Sequence, residues 1–161
     1  MSSSTLFQVF LFVAALLCTT VFGFILVFAV VVMPGIGQLD DGAFLRSFQV
    51  IDGVIQKNQP VFVFVWIGSV VALLTTCGLG ARDLKDESSK LSGLIATTVF
   101  YMIAQIITFT INVPLNNVVK KLNIELLNDV AKRKERQSFE PKWNFWNRVR
   151  TIIFAGVSVY R

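Results

Sequence analysis

Apolar residues in this chain fall into long runs, and the polar residues between and within those runs predict its elements. The first run, 6–33, is interrupted only mildly by Gln8, Cys18, Thr19, Thr20 and Gly23. At about 1.5 Å per residue a helix of this length exceeds a hydrocarbon core of ~30 Å, so it must tilt or protrude. Pro34 and Gly35 are expected to end it. A second run, 60–80, follows Asn58, Gln59 and Pro60, and a third covers 91–113. Between the first two, Phe44, Leu45, Phe48, Ile51, Val54 and Ile55 recur at helical spacing, with Arg46, Gln49, Asp52 and Gln56 on the other side. That pattern predicts an amphipathic helix from about Gly42, capped by Asp40 or Asp41, lying on the membrane or against a bundle.

Within the third run Tyr101, Gln105, Thr108 and Asn112 are spaced four, three and four apart and share one helix face. A polar stripe inside a span should face protein, where it serves interhelical hydrogen bonding. Beyond it, Leu115, Val118, Val119, Leu122, Leu126 and Val130 form an apolar face, and AKRKERQ reads as a solvated basic segment that can touch anionic lipid. Pro141 suits the first turn of a final helix. Trp143, Trp146 and Arg150 then share one face, with Asn144, Asn147 and Thr151 on the adjacent strip. The last apolar run, 149–161, spans roughly half a bilayer. Either this fourth span is short or the chain has lost its C-terminal end, and the second is favoured. The expected fold is all-α: an integral membrane four-helix bundle with amphipathic membrane-proximal helices, forming one domain over residues 1–161.

Composition agrees with a membrane setting, since 54% of the 161 residues are hydrophobic, above the usual share of a soluble domain. The first run is too long for a signal-peptide core and has no basic residue before it, so it reads as a retained helix. There is no histidine, which excludes histidine as metal ligand, haem ligand, general base or pH switch. The two cysteines, Cys18 and Cys77, lie inside apolar runs and read as small buried hydrophobes; no metal site is expected. The net charge of +5 reflects topology rather than nucleic-acid binding. Eleven of the fifteen Lys and Arg residues, counted with Arg150, follow the first and third runs. This asymmetry places those loops on the cytoplasmic, stromal or matrix side. No apolar run carries an acidic residue and no inverted repeat is visible, which argues against a transporter.

That topology brings four segments to one membrane surface: VMPG, KNQPVF, NVPLNN and KWNFWNR. Two readings stay open. In the first they only end helices: Pro114 leaves the Thr110 carbonyl without its usual partner, the asparagines satisfy such groups, the tryptophans join an interfacial belt, and Arg148 and Arg150 snorkel. In the second they form the rim of a polar, aromatic-lined pocket.

The same segments resemble the anthrone oxygenase-like family of small four-span membrane proteins. The resemblance rests on Met33-Pro34-Gly35, the helix from Phe44 to Ile51, Asn58 to Phe62, Asn112 to Asn116, and Trp143 to Arg150. It implies oxidation of an anthrone to an anthraquinone. In principle this chemistry needs no cofactor, because the substrate's phenolic tautomer loses a proton and the anion reacts with oxygen. On that reading Trp143 and Trp146 stack on the substrate, with Asn58 and Tyr101 also contacting it. Asn112, Asn116, Asn147 and Arg150 would donate to its oxyanion. Asp52 is the candidate base, a weak one if exposed. The expected partners are the lipid bilayer and a hydrophobic aromatic molecule. The rival reading is a non-catalytic small subunit of a larger respiratory or photosynthetic membrane complex.

Overall fold

The computed structural model describes residues 4–159, the last three by backbone alone, and every described element is helical. α1 is Thr5–Ile36, α2 Asp41–Gln56, α3 Pro60–Asp83, α4 Ser88–Lys120 and α5 Asp129–Val159, with a short 3₁₀ turn at Ile124–Leu126 before α5. Three of them, α1, α3 and α4, are long and apolar enough to cross a membrane. α5 carries the apolar end that was expected as a fourth span and packs between α4 and α1, so the four long helices close a bundle.

The starts of the helices follow from their sequences. The Ser4 side chain accepts the Phe7 N–H at the beginning of α1. Ser4 in turn donates its N–H (2.8 Å) and its hydroxyl to Asp83 at the far end of α3, so α1 and α3 run antiparallel. Ala14, Val21 and Ile25 meet Val65, Ala72 and Leu73 in this pair's core, which Tyr101 and Phe154 complete from the other two helices. Gly80 permits the closest approach, because a Cβ there would collide with Leu94 and meet Phe7 at 3.2 Å. The Asp40 carboxylate accepts the Ala43 N–H (2.9 Å) and caps α2.

α2 lies across one end of the bundle. It buries Phe44, Leu45 and Phe48 against Met33, Val119, Phe139 and Trp143 in a second core. Phe48 meets Phe139 edge-on at 4.6 Å and Trp143 at 5.6 Å. Arg136 fastens the chain between α1 and α2 to α5. It donates to the carbonyls of Gly37 (2.7 Å) and Leu39 (2.8 Å), pairs with Glu140 (2.7 Å), and lies 4.4 Å over the Phe44 ring.

Several expectations are corrected. α1 passes through Pro34 but ends at Ile36, within the VVMPGIG stretch expected to stop it, whereas α4 does not stop at Val113 and continues through Pro114 to Lys120. Proline removes the N–H that would bond four residues back, and its ring presses on that carbonyl. Each helix answers by widening to a π-helical segment just before the proline, Phe28–Val32 in α1 and Thr108–Asn112 in α4. Met33 N–H then donates to the Phe28 carbonyl, and Val113 N–H to the Thr108 carbonyl, five residues back in each case. Pro141 does not open a helix either: α5 starts at Asp129 and includes both the basic segment and Pro141. On α2, Val54 is exposed and Asp52, expected on the solvated side, is buried.

Candidate functional site

The interface between α4 and α5 is built from polar rungs. The helices run antiparallel, which sets Thr108 against Arg150 and Asn116 against Trp143. The Arg150 guanidinium donates through Nη1 to Thr108 Oγ1 (2.8 Å) and through Nη2 to Asn147 Oδ1 (2.7 Å). Asn147 Nδ2 donates to the Ile25 carbonyl of α1 (3.3 Å). At the other rung Trp143 Nε1 donates to Asn116 Oδ1 (2.7 Å), and Asn116 Nδ2 donates to Asp52 Oδ1 (2.7 Å). The second carboxylate oxygen of Asp52 accepts from Gln56. Between the rungs, Asn112 falls level with Asn147.

The electrostatics of the two rungs differ. Burial pushes the Asp52 carboxyl above the ordinary carboxylate range, against the opposing effect of its hydrogen bonds from Gln56 and Asn116 and of the nearby Lys120 charge. Arg150 is 4% exposed, and no carboxylate among the described residues pairs with it. An isolated buried cation is costly, so a group of this kind favours the arrival of negative charge.

Asn147, itself 1% exposed, also lines a cleft of about 340 Å³ between the end of α1 and the middle of α5. Ala29, Met33 and Pro34 line one side; Glu140, Asn144, Asn147 and Arg148 line the other. The size lies at the lower end of the range for small-molecule sites. Chemically the α5 side of the cleft sets one carboxylate, Glu140, beside two side-chain amides and a guanidinium, with the Gln38 amide on the α1 side. Asn147 has two N–H groups and spends one on Ile25. Its carbonyl oxygen is polarised by Arg150 from behind, which strengthens the remaining donor. Among the described residues no three His, Cys, Asp or Glu side chains gather as metal ligands would.

The sequence candidates are therefore sorted by position. Asn112, Asn116, Trp143, Asn147 and Arg150 all lie along the α4–α5 interface. Trp143 is 4% exposed and packs against Phe28, Phe48 and Phe139, so it belongs to the core rather than to an open stacking surface. Trp146 is half-buried, edge-on to Phe145 at 5.3 Å. Asn58 is exposed in the turn between α2 and α3, where its positive φ of 58° suits an asparagine. Tyr101 shares a hydrogen bond with Ser69 in the other core, about 16 Å along α4 from Asn112. Glu140 is not singled out by the sequence, and Asn144 appears there only on the strip beside Trp143, Trp146 and Arg150, without a site role. Arg136, Glu140, Asn144 and Asn147 are spaced four, four and three apart, a stripe that becomes readable once the helix runs through Pro141.

Compared with known families, residues 54–160 match the family model described as anthrone oxygenase. The match takes in α3, α4 and all of α5, while α1 and most of α2 precede it. No curated protein and no solved structure matches the chain.

Proposed function

Since the chain belongs to the anthrone oxygenase family, we propose that it oxidises a flat, hydrophobic phenol of the anthrone type bound in the cleft between α1 and α5. Glu140 takes the proton that leaves the substrate's central CH₂ carbon. Charge then develops on the substrate oxygen, where the free N–H of Asn147 donates, with Arg148 and Asn144 beside it and Arg150 behind. The carbanion resonance form adds dioxygen, the peroxide anion takes back the proton held by Glu140, and the resulting hydroperoxide loses water to leave the second carbonyl. One dioxygen is consumed, and one quinone and one water are formed.

The observation that carries this reading is Asn147. It lines the cleft and at the same time accepts from a buried arginine that lacks a carboxylate partner among the described residues. Asn116 and Trp143 act as positioning residues that hold α5 against α4. The bilayer surrounds the three long apolar helices, and the excess of Lys and Arg in the neighbouring loops supports a cleft facing the cytoplasmic, stromal or matrix side.

The test is to supply anthrone and oxygen to the detergent-purified protein and to follow oxygen uptake and quinone absorbance together. One oxygen per quinone is expected. Asn147→Ala should lower kcat/KM by about 100-fold, the usual loss for one oxyanion donor. Undiminished turnover in that variant, or no oxidation by the folded wild type, would refute the proposal.

A further inference from the structure

The polar stripe of α4 holds groups that neither the cleft nor the rungs use. Gln105, Asn112 and Arg150 are each at least nine-tenths buried. Among the described residues, both amide atoms of Gln105, both of Asn112, and Nε of Arg150 lack a partner at hydrogen-bonding distance and angle; the Gln105 amide meets the Tyr101 hydroxyl only at longer range. In the apolar interior of a membrane bundle such groups carry a large desolvation penalty unless something polar meets them.

We infer that ordered water is built into the wall between α4 and α5, one molecule joining Arg150 Nε to Asn112 and another held at Gln105 beside Tyr101. The inventory of atoms selects water over an anion. Arg150 Nε, Asn112 Nδ2 and Gln105 Nε2 are donors, but Asn112 Oδ1 and Gln105 Oε1 are acceptors. An anion answers only donors, whereas water answers both kinds. The register also fits. Asn112 lies about one helical turn beyond Thr108, the residue that Arg150 grips, which is roughly the span of two successive hydrogen bonds through one water. These waters serve as structural members that orient Arg150 behind Asn147. The inference rests on burial and unpaired atoms, and it stands whether or not the cleft oxidises an anthrone.

The experiment is hydroxyl-radical footprinting by X-ray pulses on the full chain in detergent, with a bulk radical scavenger present. Radicals born from a bound water reach their neighbours despite the scavenger. Tyr101, only 2% exposed, should be oxidised in the wild type, and Gln105→Leu should abolish that labelling while the exposed Leu126 stays labelled when the scavenger is left out. Unlabelled Tyr101 in the wild type, or labelling that survives Gln105→Leu, overturns the Gln105 site. The other site is read from melting midpoints. Asn112→Leu should lower the midpoint by roughly 3 °C, as for one lost buried hydrogen bond in a chain of this size, yet cost nothing further in an Arg150→Met background. Strictly additive shifts, or a higher midpoint in Asn112→Leu alone, overturn it. So does a midpoint that rises with chloride over gluconate at constant ionic strength and loses that response in Arg150→Met, because the guest would then be an anion.

Discussion

The π-helical segments of α1 and α4 are the same backbone device carrying opposite side chains. Each starts six residues before a proline, and each restores a hydrogen bond five residues back. In α1 the widened turn is FAVVV, and none of its residues is buried. In α4 it is TFTIN, and it buries Thr108 and Asn112 against α5. The backbone distortion is thus dictated by proline, while its use is dictated by what the widened turn presents. The apolar copy shapes a cleft wall next to lipid. The polar copy supplies a rung to a buried arginine. α5 touches both, because Asn147 donates to Ile25 just before the first segment and Arg150 donates to Thr108 at the start of the second.

Four measurements would break or sharpen this contrast. The largest effect is expected from Arg150→Met, which empties the polar rung of its charge: kcat/KM for anthrone oxidation should fall by about 100- to 1,000-fold. The melting midpoint should change little or rise, since a well-packed apolar side chain replaces an uncompensated buried cation. Val31→Leu, in the exposed wall of the apolar segment, should alter neither quantity and serves as the paired control.

Next come the prolines themselves. Pro114→Ala allows α4 to relax toward a regular helix and shifts Thr108 relative to Arg150, so turnover should drop by about 10- to 100-fold. Pro34→Ala relaxes a segment with no buried side chain and should cost less than Pro114→Ala in a parallel assay. Equal losses would show that the backbone, not the side chains, distinguishes the two segments.

A smaller effect follows at the second rung. Asn116→Leu strands the Trp143 indole N–H and removes one hydrogen bond from Asp52, a loss of about 2 kcal/mol readable as a lowered melting midpoint. The smallest is a pH slope. Burial raises the Asp52 pKa, so between the ordinary carboxylate value and the raised one the folded chain holds a proton that the unfolded chain has released. Stability therefore falls as pH rises through that window and levels off above it. Asp52→Asn should flatten this component of the midpoint-against-pH curve.

Much of this architecture was legible in the sequence, because it depends on local rules. The three long apolar runs, the Asp40 cap and the Phe44, Leu45 and Phe48 face follow from composition and period alone. So does the inward stripe of Gln105, Thr108 and Asn112. What was not legible turns on tertiary context. Pro34, Pro114 and Pro141 read as boundaries, and only the packing of neighbouring helices lets the chain stay helical across them. Asp52 looked solvated because its spacing fits the polar side of α2. It is buried because Asn116 and Gln56 are there to receive it. Trp143 and Trp146 looked equivalent at three residues apart, yet one enters the core and the other stays half-buried. Glu140 was hidden by the assumption that a helix begins at Pro141.

The donors of α5 also favour one order of assembly. Arg150 finds its acceptors on α4 and on its own helix, and Asn147 reaches back to α1. An arginine entering the bilayer alone would face a steep insertion barrier. Docking α5 last, onto acceptors that α1 and α4 already present, avoids that barrier.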